Sequence, residues 1–468
     1  MAIKTLHLTN AWHENSGGIA TFYRALLEAA NRQRRPLRLV VPGSRDDVEE
    51  IGDFGRIYHV AAPRAPLNPD YRMLYPSQFL LPGSAIQRIL VAERPDLVEI
   101  CDKYCLNYLG ALLRLGLLKD VAVRPVIVGL TCERMDRNLA VYLHRPFWGD
   151  KFSATYMRHL YFPFFDHHIA ISPYTAAELE QVAKGHIVER AVWIRPMGVD
   201  FGSFSPEKRS PQARKELLAR LGATEDLALL LYVGRLAPEK NLDILPAMME
   251  RLSCPPCACR LLVVGDGIER ERLAAAAARG PGTIAFLGHV GDREALSRIY
   301  ANCDLFIHPN PSEPFGIAPL EAMASGLPVV APNSGGIKSY ANECNSYLVN
   351  NSADAFAAAV RSALKGPGRR IAKGINARQT AQQFTWQAVT DSFLELYDSI
   401  YAARSGQVPL RQAGPAFSST AADSVQTATT TLLAQTAKAG FRLYSRLARR
   451  RAGRPRPSRR LVHPQEVP

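Results

Sequence analysis

This 468-residue chain lacks any apolar run near the roughly 20 residues that a bilayer-crossing helix needs, which argues against an integral membrane protein. Its first residues, Met1-Ala-Ile-Lys-Thr-Leu-His-Leu8, turn polar too soon for a signal peptide, so the expected compartment is the cytosol. Eight cysteines are too few for a disulfide framework in a chain of this length, and a reducing compartment suits them. Three of them cluster at Cys254, Cys257 and Cys259 and could contribute to a zinc site. No fourth Cys or His follows at the usual spacing, so the cluster reads as an incidental loop and no metal is expected. No long internal repeat is evident either, beyond the βα alternation of both halves.

What is present is globular: 47% hydrophobic and 21% charged residues, in a chain long enough for two cores. The net charge of +14 is unevenly placed, with twelve Lys/Arg against two acidic residues after Tyr401, so +10 belongs to the tail. Ser405 to about Thr431 reads as a Ser/Thr/Ala-rich linker, and Leu432 to Arg451 as a basic amphipathic helix followed by a polybasic run. Such a tail fits an anionic membrane surface, or an unselected solvated extension. Nothing aromatic-rich or sheet-like accompanies it to read nucleic acid bases, so nucleic acid is not the expected partner.

Before the tail, strand-like and helix-like segments alternate. Ile3–Leu8, Leu37–Val41, Leu97–Ile100, Val126–Leu130, His168–Ile171 and Val192–Ile194 form one series. A turn-rich stretch, Gly198 to Pro206, reads as a hinge. A second series follows at Ala228–Val233, Arg260–Val264, Thr283–Leu287, Asp304–His308 and Pro328–Ala331, and a helix over 386–401 closes it. The pattern predicts an α/β fold of two parallel-sheet units, residues 1–199 and 200–385, then the closing helix 386–401 and the tail 402–468.

The chemistry gathers at the strand ends of the second unit. Gly234-Arg235-Leu-Ala-Pro-Glu-Lys240 follows a buried strand and places a cation on each side of a strand-to-helix turn, a suitable seat for a diphosphate. Taken alone the two cations fit a solvated surface pair equally well. Gly265-Asp-Gly267 is a second tight turn at a strand end. Glu313 precedes, and Glu321 lies within, a helix entered through Gly316, whose free N–H groups attract phosphate. Two such glutamates are by default solvated; the order of these loops, each at a strand end, is what gives them weight.

On those motifs the chain resembles the retaining glycosyltransferases of family 4, the group 1 type, which have the GT-B architecture of two Rossmann-like domains facing across a cleft. The likeness runs from about Ile3 to Tyr401 and rests on Gly-Arg-Leu-x-x-Glu-Lys at 234–240, Gly-Asp-Gly at 265–267 and Glu-x7-Glu at 313–321. Ala324 to Ala331 and Gly335-Gly336 also match, and so, more loosely, do Gly17-Gly18, Asp166, Ser172, Glu178-Leu179 and Gly198-Val-Asp200.

The resemblance implies a nucleotide sugar as donor and a saccharide or lipid-linked acceptor. Arg235 and Lys240 would neutralise the donor diphosphate, and Glu321 would accept hydrogen bonds from the ribose. Glu313 would hold donor-sugar hydroxyls beside the N–H groups of Phe315, Gly316 and Ile317. Gly265 would line the donor site, Val290 would lie against the base, and Gly17 and Gly18 would approach the diphosphate across the cleft. Arg235, Lys240 and Glu313 are the expected catalytic residues. No Asp-x-Asp occurs in the chain to hold a metal, so no cofactor is expected. One position departs from the family: many relatives carry a His after the strand Val126–Leu130, where this chain has Cys132. Cys132 cannot act as an imidazole would, and with Glu133, Arg134 and Asp136 it is a candidate for acceptor contacts. The same residues also fit a nucleotide-sugar epimerase of this architecture, or a binding protein that has lost turnover.

Overall fold

The structure, a computed structural model, describes residues 2–13, 17–65, 71–143, 146–184, 192–223, 227–253, 259–280 and 283–404. The basic tail, Cys254 and Cys257 lie outside the described residues; Cys259 is buried in a strand.

Among the described residues, eight strands form the first sheet. They are β1 (Thr5–Thr9), β2 (Leu37–Gly43), β3 (Asp47–Ile51), β4 (Gly55–Ala61), β5 (Leu97–Cys101), β6 (Val126–Thr131), β7 (His167–Ala170) and β8 (Val192–Ile194), in the order β3-β4-β2-β1-β5-β6-β7-β8. Six more form the second sheet: β9 (Ala228–Val233), β10 (Cys259–Val264), β11 (Ile284–Gly288), β12 (Leu305–Ile307), β13 (Val329–Pro332) and β14 (Ser346–Val349), in the order β11-β10-β9-β12-β13-β14. All pairings are parallel except β3 with β4. The central strands are near-continuous runs of buried Leu, Val and Ile, because helices cover both faces of a parallel sheet.

Strands β3, β4 and β14 have no counterpart in the periodicity. Asp47-Val-Glu-Glu-Ile51 is a mostly exposed edge ribbon held by antiparallel pairing to β4, so it carries no buried apolar run to read. Setting aside the antiparallel edge strand β3, each sheet reverses its strand order once, between β1 and β5 in the first and between β9 and β12 in the second. Open α/β sheets leave a crevice at the strand C-termini there.

The closing helix, Trp386–Arg404, returns to the first sheet instead of packing on the second. Phe393 packs on Phe22 with ring centroids 4.8 Å apart, and Arg32 and Arg35 pair with Asp391 and Asp398. The chain therefore passes between the sheets twice. At the crossing the Val199 N–H donates to Phe384 O at 2.8 Å, and the Trp386 N–H donates to Val199 O at 3.2 Å.

The helix is also tied into a buried polar knot. Glu99, fully buried on β5, lies opposite His7 of β1 in register, with His7 Nδ1 3.0 Å from its Oε1. Tyr23 donates to the same oxygen at 3.0 Å, and Tyr397 of the closing helix donates to the other. Leaving one oxygen of a buried carboxylate without its donor costs about 1–3 kcal/mol. Tyr397→Phe is therefore expected to lower the unfolding free energy by that amount in urea denaturation; an unchanged midpoint would mean that apolar packing alone holds the helix.

Candidate functional site

The site forms where the second sheet changes direction. The loop after β9 carries Arg235 and Lys240, and the loop after β12 carries Asn310 and Glu313 before the helix Ile317–Ala324. Gly316 enters this helix at φ 92°, a conformation that side chains rarely adopt. Tyr340 steadies the turn, its hydroxyl 2.6 Å from the Gly316 carbonyl oxygen and 3.0 Å from that of Phe315. Gly336 lies so close beneath that an added Cβ would stand 1.8 Å from Pro314 O. Pro319 falls in the first helical turn, where its missing N–H has no intrahelical acceptor to lose.

Glu313 is held from three sides. Lys240 Nζ and Asn310 Nδ2 each lie 2.8 Å from its Oε2, and His308 Nε2 lies 3.9 Å away. Burial would push this carboxyl up, but the Lys240 charge, His308 and the two hydrogen bonds outweigh it and hold it at about 2. Burial lowers His308 to about 4, helped by Lys240 and opposed by Glu313, so the imidazole is neutral at ordinary pH.

Glu321 is placed differently. Burial raises its carboxyl to about 7, against the attraction of Arg293 and a hydrogen bond from the Tyr300 hydroxyl at 3.1 Å. Arg293 itself lies 3.5 Å from Asp200, at the crossing between the sheets. The two glutamates thus differ in charge state: Glu313 is fixed as an anion, and Glu321 is poised near neutrality.

Arg235, half-exposed, bonds Glu239 Oε1 at 2.7 Å and reaches the first sheet's side at Tyr71. Gly265 stacks its turn on the loop after β9, where an added Cβ would stand 2.0 Å from Gly234 O. Val290 follows β11, half-buried beside that turn's strand.

The first sheet supplies the opposite wall. A Cβ on Gly18 would stand 2.4 Å from Ile317 Cδ1, so the glycine loop and the helix start Ile317 are in direct contact, while Gly17 faces open space among the described residues. Ser172 donates through Oγ to Pro314 O at 2.6 Å, tying the two walls at the turn itself. Cys132 is half-buried with its Sγ 3.6 Å from that of Cys101. Arg134 and Asp136 are paired with each other, and Arg134 also donates to Tyr174 O at 3.1 Å. Of the four acceptor candidates, these two are already engaged with their own wall. Glu133 accepts from Asn138 at 2.7 Å, and burial raises its carboxyl against the pull of Lys103.

The structure thus brings Lys240 to Glu313 and Gly18 to Ile317, with Arg235 on the loop that carries Lys240 and Glu321 a turn inside the helix that starts at Ile317. The spacing did not single out Asn310, His308, Tyr300 or Arg293, whose contacts decide how the two glutamates are charged, or Tyr340, which steadies the turn. Of these only Asn310, three residues before Glu313, carries a local signal. Among the described residues, no group of three or more His, Cys, Asp or Glu side chains could hold a metal ion.

The Lys240–Glu313 pair, with side chains 23% and 13% exposed, is the electrostatic hinge of this crevice. Removing one partner of a mostly buried pair leaves an uncompensated charge, so Lys240→Met is expected to cost about 2 kcal/mol. Adding Glu313→Gln should recover most of it. Equal urea midpoints for the single and double variants would show that the pair carries no stability. Because Glu313 is held low, its contribution is full above its ordinary value of 4.5 and is lost as pH falls through about 2.

Residues 16–201 match the family described as Glycosyltransferase Family 4, and residues 213–380 match Glycosyl transferases group 1. A GDP-mannose-dependent alpha-(1-6)-phosphatidylinositol dimannoside mannosyltransferase of Mycobacterium tuberculosis is 27% identical over 399 residues, 84% of this chain and 95% of the relative. A GDP-mannose-dependent alpha-mannosyltransferase of the same species is 28% identical over 409 residues, 83% of this chain and 95% of the relative. The fold is shared with the sucrose-phosphate synthase of Thermosynechococcus elongatus at a TM-score of 0.69 and 23% identity, over 86% of this chain and 100% of that one. Two adjoining family matches, one on each sheet of a GT-B fold, show that the chain belongs to glycosyltransferase family 4, the group 1 type, and is a hexosyltransferase that uses a nucleotide sugar.

Proposed function

We propose that this enzyme transfers mannose from GDP-mannose, with retention of anomeric configuration and without a metal ion, to a saccharide or lipid-linked acceptor. The donor follows the two relatives named as GDP-mannose-dependent, and a lipid-linked acceptor follows the one named for phosphatidylinositol dimannoside. The observation that carries the site reading is the pairing of Arg235 and Lys240 with a helix N-terminus at one strand-order reversal. Breaking the sugar–phosphate bond puts negative charge on the leaving diphosphate, and preorganised donors there lower the barrier most. Arg235, Lys240 and the N–H groups of Phe315, Gly316 and Ile317 supply them. Asp-x-Asp, a common means of holding a metal for this task, is missing from the chain.

Glu313, already ionised, accepts from donor-sugar hydroxyls while Lys240 stays beside the phosphates. Glu321 accepts from the ribose. The acceptor hydroxyl attacks the anomeric carbon from the face the leaving group departs, and a phosphate oxygen takes its proton. Gly17 leaves room for the acceptor on the opposite wall while Gly18 packs against Ile317, and Cys132 and Glu133 lie within that wall.

A thermal-shift screen against GDP-mannose, UDP-glucose and ADP-glucose tests the donor. GDP-mannose should give the largest shift, and Glu321→Ala should lose most of it while remaining folded. Equal shifts for the variant and the parent would remove the ribose role.

The raised Glu321 carboxyl adds a pH dependence. In the empty protein its stabilising contribution is full below its ordinary value of 4.5 and is lost as pH rises through about 7. Ribose hydroxyls donate best to the carboxylate, so GDP affinity should rise up to roughly tenfold between pH 6 and 8, with proton release on binding. Calorimetry in two buffers of different ionisation enthalpy reads this release, and Glu321→Gln should abolish it; a flat pH profile would contradict the assignment.

The basic tail, outside the described residues, would hold the enzyme at an anionic membrane surface near a lipid-linked acceptor. No helix among the described residues is long and apolar enough to cross a membrane. Vesicles containing anionic lipid should sediment the full chain but not a chain ending at Arg404. Equal sedimentation of both would refute the attachment.

A further inference from the structure

We infer that Tyr71, braced by His13, is the contact through which the first domain grips the donor diphosphate. The inference rests on the donor reading above and adds a residue from the opposite wall, which neither the motifs nor the comparisons single out. Arg235 reaches across the crevice and donates from a guanidinium N–H to the Tyr71 oxygen at 3.1 Å. A guanidinium has no acceptor, so the phenol oxygen must accept here and the phenolic hydrogen is directed away from Arg235. An anion seated on Arg235 would lie within reach of that hydrogen, and the two groups would then donate to it together.

The phenol is positioned for this. Its ring meets the edge of the His13 ring with centroids 3.7 Å apart. The Tyr71 carbonyl accepts from the Ala65 N–H at 2.7 Å, and the Met73 N–H donates to Pro63 O at 3.0 Å, so the backbone on this side is anchored at two rungs. Arg72 adds a bond to Ala62 O at 2.7 Å. His13 belongs to the segment after β1, the same segment that leads into Gly17 and Gly18. Tyr71 therefore meets Arg235, and Gly18 meets Ile317, across the two sheets' sides.

The same contact has an opposite possible consequence. Glu239 already neutralises Arg235 on its other side at 2.7 Å. Were Tyr71 a latch that, with Glu239, keeps Arg235 from an anion, its removal would free the guanidinium and tighten binding. As a ligand of the diphosphate, its removal weakens binding. The chemistry favours the second, because a neutral phenol competes poorly with a diphosphate for a cation but adds a charge-assisted hydrogen bond once the anion is present.

Tyr71→Phe in the full chain separates the two by sign. With GDP and GMP as probes in calorimetry, GDP affinity is expected to fall about 10- to 150-fold, the range of one hydrogen bond to a charged group. GMP affinity should change less than twofold, since GMP lacks the second phosphate. With GDP-mannose, kcat/KM should fall at least as far, because the leaving group gains charge in the transition state. Unchanged or tighter GDP binding by Tyr71→Phe overturns the inference. Arg235→Ala and Glu321→Ala are run beside it. If they lose GDP affinity while Tyr71→Phe does not, only the Tyr71 inference fails; if neither loses affinity, the donor reading itself fails.

Discussion

The turn Pro314-Phe315-Gly316 is the constraint on which the site depends. Its left-handed glycine aims the helix Ile317–Ala324 into the crevice, and Gly336 packs directly beneath it. Ser172 of the other wall donates to its first carbonyl. That carbonyl thus fixes the turn and joins the two domains. A shift here would move Glu313, the free N–H groups and Glu321 together, because all three are set by one helix start.

Around that turn, charge is arranged before any ligand arrives. Glu313 is ionised because Lys240, His308 and Asn310 surround it, whereas Glu321 has only a hydroxyl and a more distant cation against the cost of burial. Two carboxylates eight positions apart therefore have different chemistry. The pairing of Lys240 with Glu313 also holds the lysine side chain in one place before any ligand arrives.

The closing helix explains how a two-domain crevice is kept in register. By returning to the first sheet it makes the link between the domains a double strand, with Val199 hydrogen-bonded to Phe384 and Trp386. Its Tyr397 ends on the buried Glu99, so the last helix of the described chain completes the polar centre of the first sheet. A helix over 386–401 was legible from its apolar spacing, but its destination was not, since the same stripe would suit either core. Likewise the edge strand β3 carried no period to read, being mostly exposed.

The sequence by itself determined the two series of strands and helices, the order of the strand-end loops and the residue types in them. Those are local properties: apolar period, glycine at sharp turns, cations and carboxylates at fixed spacing. Together they form motifs that resemble one family, and that resemblance picked out Arg235, Lys240, Glu313 and Glu321. Only the tertiary structure decided what those groups are. Asn310, His308, Tyr300 and Arg293 set their charge, Ser172 and Gly18 join the walls, Arg134 and Asp136 neutralise each other, and Tyr71 meets Arg235 across the crevice. Contacts between residues 142 or 164 positions apart leave no periodic trace in the chain. They depend on distance and burial, which exist only once the sheets have folded and closed on each other.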